Sequence, residues 1–211
     1  MPASWLLQNP DTLWAAFVQH VGLVAEALVF SLALALPLGI LSARHKRVHA
    51  FVLGTAGILY TIPELALFAL LVPMVGLGRG PALTAIVLYS LLVLTRNVAV
   101  GLRELPHDVL EAADGMGYGR WRKLWRIELP LAAPVILAGI RLTVVMQISV
   151  ATIAAFIGAG GLGEIIFQGI TQDIGEKVAA GAVAAALLAV AADEILRRLE
   201  LRLRLNQYGP G

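Results

Sequence analysis

Five runs of mostly apolar residues, at 21–43, 50–75, 82–102, 131–157 and 178–196, leave this chain few ways to fold. Each is about as long as the ~20 residues that a helix needs to cross the hydrocarbon of a bilayer. In lipid every backbone N–H and C=O must find its partner inside the protein, which favours helices for runs of this length. Composition agrees. Of the 211 residues 59% are hydrophobic and 14% charged, against ~45–50% and ~25% in a soluble domain. So much apolar surface exceeds what one water-soluble core can enclose. The expected fold is all-α and integral to a membrane, with about five transmembrane helices. The second run carries Thr61-Ile62-Pro63-Glu64 near its middle. Proline removes a backbone donor and clashes with the preceding turn, so a kink or a split is expected there.

Lys and Arg accumulate in loops on the cytoplasmic side. Arg44, Lys46 and Arg47 follow the first run. Arg103, Arg120, Arg122, Lys123 and Arg126 follow the third, and Arg197, Arg198, Arg202 and Arg204 follow the fifth. The other side holds Arg79, Lys177 and an N-terminal stretch without Lys or Arg. Five crossings put all three basic clusters on one side; an even number would not. The expectation is an external segment 1–20, a transmembrane domain 21–199 with a cytoplasmic loop at 103–130, and a cytoplasmic tail 200–211. The N-terminus lacks the positive start of a secretory signal. With no Cys, disulfides, thiolate metal sites and thiol nucleophiles are excluded. His20, His45, His49 and His107 have no zinc-like spacing, so no metal is expected, and a net charge of +2 gives no footing for nucleic acid.

The loop 103–130 has its own pattern. Pro106 suits the first position of a helix, and Val109, Leu110, Ala112 and Ala113 give it a small apolar face. Gly115, Gly117 and Gly119 interrupt it, since glycine tolerates positive φ and close backbone approach. A second helix with Trp121, Leu124 and Trp125 on one face is expected next, and Pro130 and Pro134 open the fourth run. Trp121–Arg126 alone reads equally as an interfacial amphipathic helix near anionic lipid.

From Glu111 the loop spells EAADGMGYGRWRKLWRIELP. Its skeleton of Glu111, Ala112, Ala113, Gly117, Ile127, Leu129 and Pro130 resembles the EAA loop of permease subunits of bacterial type I ABC importers. The resemblance implies that these seven residues face the cytoplasm and dock into a separate ATP-binding subunit. TIPELALFALLVPMVGLG from Thr61, LTRNVAVGL from Leu94, AGIRLTVV from Ala138 and FIGAGGLGEIIFQGI from Phe156 are similar to the osmoprotectant branch, which imports glycine betaine, choline or carnitine. The GAGGLGE stretch is shared with permeases for methionine and other small solutes. Glu64 stands where that branch leads one to expect a small polar residue.

Polar residues inside the runs are candidates for a path or gate, because a charge facing lipid is costly. Arg141 lies about ten residues, ~15 Å, into the fourth run, with Glu64 as a candidate partner. Gln147, Ser149 and Thr152 make the same run partly polar, and Ala151, Ala155 and Ala159 recur at a spacing that allows close helix packing. Arg96 can snorkel from the third run, and Glu26 is expected near the outer interface. Gly160 and Gly161, in the outer loop 158–177, are candidates for an outer gate or a binding-protein dock. That loop carries no Lys-Ser/Thr to make it a phosphate loop.

The resemblance implies a non-catalytic permease subunit that binds no cofactor itself, with ATP and Mg on the partner ATPase. It further implies a second permease subunit, identical or homologous, an extracytoplasmic solute-binding protein and surrounding lipid. Alternatives are a permease for methionine or another small polar solute, and a secondary transporter built around Pro63, Glu64 and Arg141. A non-transporting scaffold would leave the EAA-like skeleton without an explanation.

Overall fold

The helices follow the apolar runs but overshoot their edges. The computed structural model of the chain describes residues 4–208. Residues 1–3 and 209–211 of the expected N-terminal segment and tail lie outside them, as does the side chain of Arg204. The elements are α1 (Ser4–Gln8), α2 (Pro10–Arg44), α3 (Lys46–Thr61), α4 (Glu64–Val75), α5 (Arg79–Arg103), α6 (His107–Gly115), α7 (Arg120–Lys123), a π-turn (Leu124–Glu128), α8 (Leu129–Ala154), a 3-10 turn (Ala155–Ile157), α9 (Leu162–Thr171) and α10 (Gly175–Tyr208). Four helices are long and apolar enough to cross a membrane alone. The pair α3 and α4 passes only together, and it is bent by 99° at its break.

Cross-links at the two ends of the bundle determine how many times the chain traverses it. At one end Arg79, which starts α5, pairs with Glu26 of α2, and the Gly78 N–H donates to Ile157 O at 2.7 Å. At the other end Arg44 of α2 pairs with Glu128, and Arg103 of α5 donates to the carbonyl oxygens of Ser42 and Ala43. Helices α2 and α5 therefore run the same way. The chain between Arg44 and Gly78 has to return across the bundle, bent or not. Helix α8 goes back to the first end and α10 comes forward again. Five traverses result, as the charge pattern requires, with the two described chain ends on opposite faces.

Helix α5 is central because small residues let its neighbours approach. A Cβ on Gly139 of α8 would lie 2.5 Å from Asn97 Cβ, and one on Gly39 of α2 would lie 2.5 Å from Val98 Cβ. The main core joins Leu23 and Ala27 of α2, Phe68 of α4, Ile86 and Tyr89 of α5, and Ile148 and Ala151 of α8. A smaller core of Val98, Leu102, Leu124, Ala132 and Ile136 lies at the loop end.

Two expectations are corrected and two gain detail. The first helix begins at Pro10, so residues 10–20 of the expected N-terminal segment are helical and continuous with the first traverse. Pro at the first helical position explains the start: its missing N–H would have had no partner there anyway. The expected second loop helix and the fourth span form one helix of 38 residues, Arg120–Ile157. The π-turn absorbs Pro130: Leu129 N–H bonds back to Leu124 O, one residue further than in an α-helix, which makes room for the proline ring. Within the expected tail, residues 200–208 continue α10 as helix. Finally, α8 ends at Ala154, so Ala151, Ala155 and Ala159 are not a single α-helical stripe.

Candidate functional site

Helix α6 ends in a complete Schellman motif. Gly117 has φ +75°; its N–H donates to Asp114 O at 3.0 Å, and the Tyr118 N–H reaches Ala113 O at 3.1 Å. That pair of bonds caps the last carbonyls of a helix and places the residue after the cap in the left-handed region, where glycine carries no Cβ penalty. Thus the interval between Ala113 and Gly117 has a local cause: the alanine supplies the accepting carbonyl and the glycine the turn. Of the three loop glycines only Gly117 has positive φ, and a Cβ there would meet nothing within 4 Å. No close approach within this chain demands it.

The other skeleton residues divide by exposure. Ala113 is buried, Glu111, Ala112 and Pro130 are exposed, and Ile127 and Leu129 are half-buried. Glu111 lies 3.3 Å from His107 one turn earlier. Lys123 donates to Asp114 at 2.5 Å and ties the end of α7 to the end of α6. Of the expected apolar face, Leu124 is buried, whereas Trp121 and Trp125 are 76% and 64% exposed. Two large aromatic rings at the bundle end thus remain open to a lipid interface or a partner.

Behind the loop the three traversing helices are knotted together. Glu128, 2% exposed, pairs with Arg44 and leaves its Oε1 without a protein partner. Arg103 places its charge on the last carbonyls of α2, where the negative end of the helix dipole favours a cation. Sequence reasoning took Arg44 and Arg103 as orientation signals and passed over Glu128. A carboxylate directly before Leu-Pro and an apolar run was the available clue.

Arg141 does not meet Glu64. Its Nη1 donates to Glu200 at 3.1 Å, and its Nε stands 2.8 Å from Asp193, both on α10. The two acids are seven residues apart and so lie on one face of their helix, and the guanidinium bridges them. Gln147, expected to line a path, is fully enclosed. Its amide nitrogen donates to Ser31 Oγ of α2 at 3.2 Å and Ser90 Oγ of α5 at 2.8 Å. Each serine in turn donates to the carbonyl one turn back, so one amide joins three helices.

Gly160 and Gly161 have φ of +75° and +78° and are buried against α2. Gly161 N–H donates to Gln19 Oε1 at 3.0 Å, and a Cβ on it would lie 2.9 Å from His20 Nδ1. A cleft beside them is lined by Asp11, Ala15, Gln19, Glu164 and Gln168. Glu64 opens α4 at the break, half-buried. The structure therefore separates the five path candidates among the break, the α8–α10 seam, the three-helix node and the far end of the bundle.

Five helical traverses and a glycine-capped loop helix define a multi-pass membrane protein. Residues 35–205 match the family described as "Binding-protein-dependent transport system inner membrane component", and the chain belongs to it. It is 43% identical over 204 residues to "Osmoprotectant import permease protein OsmW" of Salmonella typhimurium, covering 94% of this chain and 95% of that one. It is 37% identical to "Carnitine transport permease protein OpuCB" of Listeria monocytogenes, over 93% and 90% of the two chains. It is also 37% identical to "Choline transport system permease protein OpuBB" of Bacillus subtilis, over 94% and 92%. Among solved structures, a chain of the MetNI methionine ABC transporter superposes with a TM-score of 0.78 at 21% identity, covering 96% and 98% of the chains. At that identity the likeness concerns the fold.

Proposed function

We propose that this chain is the permease subunit of an ATP-driven importer for a quaternary ammonium compatible solute such as glycine betaine, choline or carnitine. The observation that carries this reading is the naming of three relatives, 37–43% identical over nearly their whole length, for these solutes. The loop 103–130 is the dock for an ATP-binding subunit that holds ATP and Mg. Its support is the exposed α6, the exposed Trp121 and Trp125, and the skeleton from Glu111 to Pro130.

In this reading the loop and the C-terminus face the cytoplasm and the N-terminus lies outside, which the side bias of the basic clusters supports. A solute-binding protein delivers its cargo on the outer side, and a second permease subunit completes the path. ATP binding draws the two ATPases and the loops together, opening the path outward; hydrolysis resets it. Arg44–Glu128 and the Arg103 cap carry movement of the loop into α2 and α5. The test is uptake by vesicles holding the chain, its ATPase and its binding protein, with glycine betaine, choline, carnitine and methionine offered separately. ATP-dependent accumulation of a quaternary ammonium solute is expected. Accumulation of methionine alone would overturn the solute assignment.

A further inference from the structure

A cleft of about 570 Å³ opens between the end of α2 and the start of the loop helix. That size falls within the ~300–1,000 Å³ of small-molecule sites. Arg44 and His45 line it from the α2 side, and Arg120, Trp121 and Lys123 from the loop side. The rest of the lining is apolar: Ile40, Leu41 and Leu124. No acid is among these residues. Glu128 pairs with Arg44 and Asp114 with Lys123, but neither carboxylate lines the cleft. None of the ion pairs among the described residues involves Arg120.

Each part has an ordinary use. Arg and Lys flank spans as orientation signals, and Trp favours the membrane interface. The combination is more specific. Three cations share one cleft, and the two acids nearby offset only two of them. Arg120 is left without a counter-charge, so the cleft favours an anion. The apolar lining indicates what carries that anion. Phe30, Leu34, Pro37 and Leu41 are all exposed. They recur at i, i+4, i+7 and i+11 and so form one stripe along α2. Leu41 also lines the cleft, so the stripe leads into it. Phe30 lies ~21 Å before Arg44 along the helix, deep in the hydrocarbon and beyond the reach of a water-soluble subunit docked on the loop. An acyl chain fits the stripe, and a headgroup phosphate then reaches the basic walls.

We propose that this cleft seats the headgroup of an anionic phospholipid from the leaflet at the loop end. Its phosphate lies between Arg44 and Arg120, whose planar guanidinium groups can each donate a pair of N–H bonds to phosphate oxygens. Lys123 adds a point charge, and Trp121 covers the interfacial part of the lipid. One acyl chain runs along the stripe from Leu41 to Phe30. A zwitterionic lipid brings its own cation into the same cleft, where Arg120 repels it. The seat therefore selects phosphatidylglycerol over phosphatidylcholine. A bound lipid joins the end of α2 to the loop helix beside the Arg44–Glu128 pair. Nothing in this depends on which solute crosses.

The experiment takes the full chain, alone and assembled with its ATPase, delipidates it in detergent, and mixes it with equal amounts of phosphatidylglycerol and phosphatidylcholine. Native mass spectrometry then counts the lipids retained. Retention of phosphatidylglycerol about fivefold or more above phosphatidylcholine is expected in both forms. Arg120→Gln should remove most of that preference, and Arg120→Lys should keep part of it. Arg122→Gln removes the same charge from an exposed neighbour outside the cleft and should change the preference by less than about twofold. The masses of the assembled complexes in the same spectra confirm that each variant is intact. No preference in the wild-type chain, or equal losses in Arg120→Gln and Arg122→Gln, overturns the seat. A preference that disappears once the ATPase is bound also overturns it, because the cleft then belongs to the ATPase dock.

Discussion

Arg44, the last residue of α2, reaches 84 positions along the chain to pair with Glu128, which is almost wholly shielded from solvent. The pair is asymmetric, since the arginine side chain is 47% exposed and the carboxylate 2%. Removing Arg44 strands a charge in a low-dielectric place. Neutralising Glu128 leaves an arginine that water can still reach. Arg44→Ala is therefore expected to cost about 2–4 kcal/mol and Glu128→Gln less. The double variant should recover most of the loss. Thermal stability of the purified chain in detergent checks this, and an Arg44→Ala melt equal to wild type would contradict it.

Gly117 separates backbone strain from partner contact. Forcing an ordinary residue into the left-handed region costs about 1–2 kcal/mol, and asparagine tolerates it better. With no neighbour within 4 Å, Gly117→Asn should leave the chain as stable as wild type, while Gly117→Val destabilises the end of α6. If the loop docks an ATPase, Gly117→Asn and Glu111→Lys should nonetheless reduce ATPase co-purification or uptake. Normal docking and uptake in both would remove the coupling assignment.

Orientation can be settled by cysteine labelling, because the chain has no native Cys. The geometry selects the positions. Gly161 is a poor choice since its Cβ would strike His20, whereas Met116 and Thr171 are exposed near opposite ends. A membrane-impermeant maleimide added to intact cells is expected to label Thr171→Cys and spare Met116→Cys. The reverse pattern would invert the topology.

The Gln147 node should be dispensable for stability. Both serines keep their carbonyl acceptors without it, and the unpartnered Gln147 Oε1 disappears. Gln147→Met should change stability by no more than about 1 kcal/mol. Unaltered stability with abolished uptake would give Gln147 a direct part in transport.

Arg141 should behave as a seam between α8 and α10. Arg141→Ala removes the cation shared by Asp193 and Glu200 and is expected to cost about 3 kcal/mol. Arg141→Lys should restore part of it, since an ammonium lacks the fork that reaches two carboxylates. Loss of uptake in Arg141→Ala at wild-type thermal stability would point to gating instead.

The apolar runs and basic loops were legible because hydropathy and charge are local properties. The start of α2 was missed because it depends on Asn9-Pro10 geometry rather than apolarity. Pro130 looked like a boundary, since a π-turn that accommodates proline has no compositional mark. The loop skeleton was legible as a pattern, but its physical basis, the Schellman bonds from Tyr118 and Gly117, emerges only in the folded chain. Arg141 was correctly suspected of needing a partner, but the partner was misassigned. Asp193 and Glu200 sit 52 and 59 residues away on another helix, and nothing in a single sequence ranks them above Glu64.

No break separates Arg120, in the basic loop, from Ile157, whose carbonyl accepts the Gly78 N–H at the far end of the bundle. At ~1.5 Å per residue that helix is a rod of ~57 Å. With the π-turn holding its shape, a tilt of about 5° about the loop end swings the far end sideways by ~5 Å, close to one helical turn. A displacement that size is larger than the whole Gly78–Ile157 hydrogen bond. Angular play too small to notice at the loop end therefore decides whether the far rim of the bundle stays latched.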